Sequence, residues 1–265
     1  MFKIIQRLWQ VNWAEQWQYR ANLIMYLLYW LVSPIIYLAV WTSIANSKGD
    51  VNGFTANDFT TYYLTLLIVD QITSNIVIHS FGYKIQDGTL SGELVRPIHP
   101  MLTNALVNNI AFKALTIMGF IPIWLILFVL YKPDFSSVTL SGVLLAIPAM
   151  MMGFLVGYLL SAAITSLAFW TTRVYSIHEF YYALILLFSG QFVPLTLMPR
   201  LIQDIAQYLP FQLLIYFPIQ LILGRLSGAQ IIQGFGMGGI WLAVSIFLFN
   251  LIWRNGVKRF SAVGA

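Results

Sequence analysis

Over most of this chain the apolar positions neither alternate nor follow a single helical stripe; they run on for twenty residues or more. Six windows reach the length of about 20 residues that a helix needs to cross the hydrocarbon of a bilayer. They are Ala21–Ile44, Phe59–Phe81, Leu102–Tyr131, Leu140–Trp170, Tyr175–Leu197 and Gly234–Trp253. A further apolar piece, "PFQLLIYFPIQLILG" from Pro210 to Gly224, is shorter and is broken by Pro218. It is expected to be re-entrant or interfacial, shielded by protein. The first twenty residues differ. Ile5, Trp9, Trp13 and Trp17 recur every fourth position, with Lys3, Arg7, Gln10, Gln18 and Arg20 largely off that line. This pattern predicts an amphipathic helix lying in the headgroup layer. The expected fold is an all-α membrane protein. It comprises an interfacial helix over 1–20, a six-helix transmembrane domain over 21–253 and a tail over 254–265.

Composition agrees. Hydrophobic residues make up 59% of the 265 positions and charged residues 9%, against roughly 25% charged in soluble domains. Mean hydropathy is +0.78. There is no cysteine, hence no disulfide framework and no thiolate chemistry. The net charge of +5 sits on residues flanking the apolar runs, which reads as a topology signal and not as a nucleic-acid surface. With six spans and both termini on one side, ten Lys and Arg fall on that side. They are Lys3, Arg7, Arg20, Lys84, Arg96, Lys113, Arg173, Arg254, Lys258 and Arg259, against Lys48, Lys132, Arg200 and Arg225 on the other. The excess predicts cytoplasmic termini.

That topology gives an address to "YKIQDGTLSGELVRPIHP", Tyr83 to Pro100, a polar stretch between the second and third apolar runs. Asp87-Gly88 predicts a turn. "LSGELVR" predicts a short helix with Leu90, Leu94 and Val95 on one side, ended at Arg96-Pro97 because the residue before proline is pushed out of helical geometry. The stretch is either a surface connector or a docking knob for a cytoplasmic partner.

The pattern "IQDGTLSGELVRPIHP" resembles the cytoplasmic coupling segment of type-2 ATP-binding-cassette permeases. A second likeness is "FSGQFVPLTLMPRLIQDIAQYLPF", Phe188 to Phe211. It is similar to the break at the end of the fifth span and the extracellular re-entrant helices of that family. Chain length, the amphipathic start and six spans also fit. The resemblance implies an exporter permease that binds no cofactor itself, with ATP and Mg on separate cytoplasmic ATPase subunits and a second permease subunit beside it. The chain carries no "GxxxxGK[ST]" phosphate loop. The resemblance also implies that segment 84–100 inserts into the ATPase. Asp87 and Gly88 would form its turn, Glu93 and Arg96 its polar contacts, and Leu90 and Leu94 its apolar anchors. Region 198–224 would be the re-entrant part. The implied location is a bacterial plasma (inner) membrane.

Within the spans, Asp70 falls near the middle of the second, followed by Gln71, Ser74, Asn75 and His79 on roughly one face. A carboxylate at mid-bilayer costs at least about 2.5–3.5 kcal/mol, so this face avoids lipid. It either forms an interhelical hydrogen-bond cluster or lines a substrate path. Gly153, Gly157, Ser161 and Thr165 recur every fourth position of the fourth span and predict close helix packing. Arg173, His178 and Glu179 are expected in a solvated turn with an ion pair. Ser189-Gly190 and Pro194 interrupt the fifth span.

Abundant aromatic residues and one mid-membrane carboxylate suit an amphiphilic or cationic drug-like cargo. Lipid or polysaccharide export is the alternative within the same class. An intramembrane enzyme finds no "HExxH" or "GxSxG" here. His79, His99 and His178 lack neighbours at metal-ligand spacing, so no metal site is expected. A proton-coupled secondary transporter would use Asp70 but lacks the expected internal repeat.

Overall fold

The structure is a computed structural model that describes residues 2–101 and 105–260. For residues 2, 4, 20, 79 and 80 it describes the backbone alone. The described residues form helices joined by turns, with one isolated bridge between Val51 and Phe54. In chain order the helices are α1 (Phe2–Gln18), α2 (Arg20–Lys48), α3 (Ala56–Thr73), α4 (Val77–Gln86) and α5 (Ser91–Leu94). They continue with α6 (Leu106–Tyr131), α7 (Leu140–Ser166), α8 (Val174–Phe188), α9 (Arg200–Ala206), α10 (Tyr216–Ile222) and α11 (Gly228–Val257).

Ala21–Lys48, Leu106–Tyr131, Leu140–Phe169 and Gly228–Val257 are long and apolar enough to cross a membrane. A fifth candidate is the pair Arg200–Ala206 and Phe211–Ile222, whose two arms bend by 80°. Against the six spans expected from hydropathy, the described residues thus hold four such helices, or five with the bent pair. The second window, expected as Phe59–Phe81, is interrupted. α3 ends at Thr73, Ser74 is extended (φ −63°, ψ 165°), and α4 starts at Val77. Thr73 Oγ1 donates to the Val69 carbonyl at 3.0 Å and Ser74 Oγ to the Asp70 carbonyl at 2.6 Å. Hydroxyl bonds of this kind also occur at Thr60 and Thr65 within α3, so they accompany the end of the helix and do not by themselves cause it.

The fifth window also shortens. α8 stops at Phe188, giving about 22 Å at 1.5 Å per residue. Gly190 follows with φ +85°, a left-handed conformation that a side chain disfavours.

Helix starts at the opposite end are set by caps. Thr55 and Asp58 form a capping box at α3, and Ser227 and Gln230 form another at α11. The second box starts α11 six residues before the Gly234 expected from hydropathy. Asp58 also pairs with Arg225 at 2.6 Å, tying the two starts together.

Two large buried clusters fill the bundle. At what we call the cap end, Phe59, Tyr62, Tyr63 and Leu66 pack on Leu213, Phe217 and Ile219. At the α5 end, Phe81, Leu90, Met101, Tyr158, Phe249 and Trp253 pack together. Ile24, Met25, Leu28 and Val32 on α2, with Ile121 and Leu125 on α6, stay exposed on the outside. So broad an apolar exterior suits lipid contact and not water.

The small-residue stripe of α7 divides. Gly153 lies under the Leu213 carbonyl, where an added Cβ would collide with backbone, whereas Gly157 meets only the Leu214 side chain and Asn75. Ser161 is buried, with its Oγ 3.5 Å from His178 Nε2. α11 reaches α7 through its own glycine, Gly238, against Met152.

Candidate functional site: an aromatic cavity beside a broken helix

The break between α3 and α4 opens onto a cavity of about 150 Å³. One wall is α2, contributing Tyr26, Tyr29 and Trp30. Asp70, Ser74 and Asn75 form the second. Glu179, Tyr181 and Tyr182 of α8 form the third, with His178 beside them. Two carboxylates thus share a small space with five aromatic side chains. Asn75 Oδ1 is buried without a hydrogen-bond partner among the described residues. It remains an acceptor for whatever enters.

The face expected to carry Asp70, Gln71, Ser74, Asn75 and His79 together is thus only partly assembled. Asp70, Ser74 and Asn75 meet at the cavity. Gln71 does not: it is buried toward α6, lining a separate apolar pocket with Ile68, Phe120 and Trp124. Neighbouring helical residues point about 100° apart, and loss of helix at Ser74 removes the register that would have realigned them. The His79 side chain lies outside the described residues. Of the cluster expected from Arg173, His178 and Glu179, no ion pair joins Arg173 to Glu179. Arg173 is exposed, and Glu179, five residues into α8, belongs to the cavity wall.

By its charge alone Lys113 counts toward the cytoplasmic side. It is instead the clamp of the break. Its side chain, 7% exposed, reaches from α6 and donates to the Gln71 carbonyl at 2.8 Å and to Ser74 Oγ at 3.2 Å. Its ammonium lies 5.8 Å from the Trp30 ring and 5.5 Å from the Phe154 ring, within cation–π range. A cation at the C-terminus of α3 also suits the helix dipole. Asp70 and Lys113 are near enough for their charges to interact, although no direct ion pair joins them. The signal was present in the sequence: one intramembrane acid and one intramembrane base on consecutive spans.

Beyond α4 the chain turns through the polar stretch. Asp87 Oδ1 accepts from Thr89 N at 3.0 Å and from Thr89 Oγ1 at 2.7 Å, and Gly88 supplies φ +80°. The hydrogen bonds from Thr89 hold the Asp87 carboxyl below the usual aspartate range. α5 covers only Ser91–Leu94, two residues short of the expected end. Leu90, expected as an outward anchor beside Leu94 and Val95, is fully buried in the chain's own core, and Val95 is 85% exposed. Glu93 turns back to Lys84 at 2.6 Å. What faces outward is Asp87, Thr89, Ser91, Gly92, Val95, Arg96 and Pro97. The short helix is pinned to α4 by Leu90 N donating to the Lys84 carbonyl at 2.9 Å, so α4 and the loop form one body.

At the cap end the other interruption is wrapped differently. Tyr62 donates to the Gly190 carbonyl at 2.7 Å. Tyr63 and Trp41 donate to the Phe192 carbonyl at 2.6 and 3.1 Å, and Tyr216 N donates to the Ser189 carbonyl at 2.9 Å.

No curated protein matches this chain. A protein-family model does: the one described as ABC-2 family transporter protein matches residues 21–264. Proteins of that family are integral membrane subunits of ATP-binding-cassette transporters. They work with an ATPase subunit and generally lack an ATPase site of their own. A match over nearly the whole sequence, joined to an apolar helical bundle with a polar loop pinned to a broken helix, places the chain in the ABC-2 transporter family.

Proposed function

We propose that this chain is an exporter permease that accepts an amphiphilic organic cation in the cavity beside Asp70. The observation that carries the reading is the pairing of Asp70 and Glu179 with the rings of Tyr26, Tyr29, Trp30, Tyr181 and Tyr182 in one small space. Carboxylates attract the charge of such a cargo, and ring faces attract both its charge and its apolar body. Asp70 lies about 21 Å along α3 from Ala56, at 1.5 Å per residue. If the termini are cytoplasmic, as the charge pattern predicts, the cavity would lie in the inner half of the bilayer, where an amphiphile arrives from the cytoplasmic leaflet.

ATP and Mg would be held by separate ATPase subunits, docked against the outward residues of the 84–100 loop. Asp87, Val95 and Arg96 are the contacts in this arrangement. Glu93 and Leu90 hold the loop to α4 and carry the push inward to the break. The family resemblance supports a second permease subunit beside this one, in a bacterial inner membrane.

The test is transport by the permease reconstituted with its ATPase, using a lipophilic quaternary-ammonium dye and a neutral analogue of similar size. Asp70→Asn should lower transport of the dye about tenfold, the equivalent of about 1.4 kcal/mol. The neutral analogue and basal ATP hydrolysis should change little. Equal losses for both compounds would remove the assignment of Asp70 to cargo recognition, and transport without any ATPase would remove the exporter reading altogether.

A further inference from the structure

A second and larger cavity, about 310 Å³, lies at the α5 end between α1, the start of α2, α4 and α6. It is a different kind of space from the aromatic one. Glu15 and Gln16 come from the last turns of α1, Tyr19 from the corner between α1 and α2, Lys84 from the last turn of α4, and Asn108 from the first turn of α6. These groups sit where helices begin and end, at the level where apolar spans give way to polar residues. Its size is near the low end of small-molecule pockets, roughly 300–1,000 Å³, which fits a compact polar group and not a whole lipid.

The chemistry of the lining is mixed in sign. Lys84 has three N–H donors, one of which goes to Glu93 at 2.6 Å. Asn108 Nδ2 donates to Asn12 Oδ1 at 2.8 Å, which leaves the Asn108 carbonyl oxygen as an acceptor. Glu15 supplies the carboxylate of the lining. The lining itself carries one lysine and one carboxylate, and Lys84 is already paired with Glu93 outside the lining, so a purely anionic group finds no surplus of positive charge. A group carrying both a phosphate and an ammonium matches it: phosphate oxygens on Lys84, ammonium on Glu15 and the Asn108 oxygen. Tyr26 and Ile76 line this cavity and the aromatic one alike, so an occupant here abuts the broken helix.

We infer that this cavity binds the phosphoethanolamine headgroup of a phospholipid, held between the interfacial helix α1 and the ends of α4 and α6. The bound lipid would brace α4 and the α1–α2 corner against each other. This is independent of which compound the neighbouring cavity carries.

The experiment uses the purified full chain in detergent, incubated with equal amounts of phosphatidylethanolamine and phosphatidylglycerol. Retained lipid is counted by native mass spectrometry. The expected result is preferential retention of phosphatidylethanolamine, by about tenfold, the equivalent of roughly 1.4 kcal/mol. Glu15→Gln should bring the two lipids toward parity, and Glu15→Lys should reverse the preference. Gln16→Trp, which fills the cavity, should reduce retention of both. Unchanged elution and melting temperature would separate these effects from misfolding. Inorganic phosphate at millimolar concentration should displace neither lipid. Displacement by phosphate alone would identify a free-anion site and overturn the lipid assignment. So would the same lipid ratio in the parent chain and in Glu15→Lys.

Discussion

Two helices of this bundle are broken, and the breaks are held in different ways. The break after α8, at Ser189 to Pro194, has its carbonyls held by hydrogen bonds from Tyr62, Tyr63, Trp41 and the Tyr216 amide, although Gln191 from it reaches the edge of the aromatic cavity. The break between α3 and α4 has one clamp, Lys113, and opens onto a cavity with an unpartnered amide oxygen. Non-helical backbone at membrane depth is tolerated only where it is buried in protein or lines a cavity; both breaks reach the aromatic cavity, through Asn75 and Gln191, and they differ in what holds their backbone. Neutral bonds from rigid rings leave nothing to rearrange. A single flexible cation between a carbonyl, a hydroxyl and the field of Asp70 can be drawn away by a competing charge. The comparison assigns the moving part to the α3–α4 break and the fixed reference to the other.

The largest expected effect comes from removing the clamp. Lys113→Met keeps the length of the side chain but deletes both donors, leaving the Gln71 carbonyl and Ser74 hydroxyl without the ammonium. An orphaned buried polar group costs about 1–3 kcal/mol, with more for charged partners. Asp70 would also lose the nearby positive charge. The variant should melt at a clearly lower temperature in detergent and transport at less than a tenth of the parent rate. Lys113→Arg should recover part of both, because a donor and a charge remain. If Lys113→Met melted and transported like the parent, the inner break would be held by something else and the contrast between the two sites would collapse.

A smaller effect is expected at the outer break. Tyr62→Phe removes the hydroxyl that donates to the Gly190 carbonyl and changes little else, since the ring stays fully buried. The loss of one neutral hydrogen bond should cost about 1 kcal/mol. Melting should fall modestly while the ratio of cationic to neutral cargo transported stays constant. A variant of normal stability but altered cargo preference would make the outer break the selective element and invert the assignment.

Much of the bundle was legible in advance, for a simple reason. α2, α6, α7 and α11 are uninterrupted apolar runs, and in lipid such a run has no alternative to helix. The breaks were legible only where glycine and proline mark them. Ser189-Gly190 and Pro194 announce the outer one. The inner one falls at Thr73 and Ser74, hydroxyl residues common within membrane helices, and is held by a lysine from another span that no local pattern connects to them. The loop failed in a similar way. Treating 90–96 as one helix put Leu90, Leu94 and Val95 on the same side, but the turn at Gly88 and the brevity of α5 send Leu90 inward and Val95 outward. Asp70 announced itself by its charge. Its partners in the cavity, Glu179 and the tyrosines of α2 and α8, are distant in sequence and were met only through the fold.

The smallest effect sharpens the comparison at its edge, where the α5 loop joins α4 and hence the inner break. Asp87 is exposed, and its carboxyl is held below the ordinary aspartate range chiefly by the hydrogen bonds from Thr89. A depressed carboxyl stabilises the folded turn in full above its unfolded value, about 3.9. That contribution is lost as the pH falls through the lower folded value. Corrected for intrinsic exchange, amide protection at Thr89 should therefore decline between about pH 5 and pH 3, while that of the Tyr216 amide at the outer break stays flat. Thr89→Ala should weaken the decline by removing the hydroxyl bond, the larger of the two from Thr89 that lower the carboxyl, while the amide bond remains. Because the group is solvated, the change should be confined to the turn and leave the melting temperature within error. Parallel acid loosening at Tyr216 would mean that the two breaks respond as one unit, and the separation of a fixed outer site from a movable inner one would not survive it.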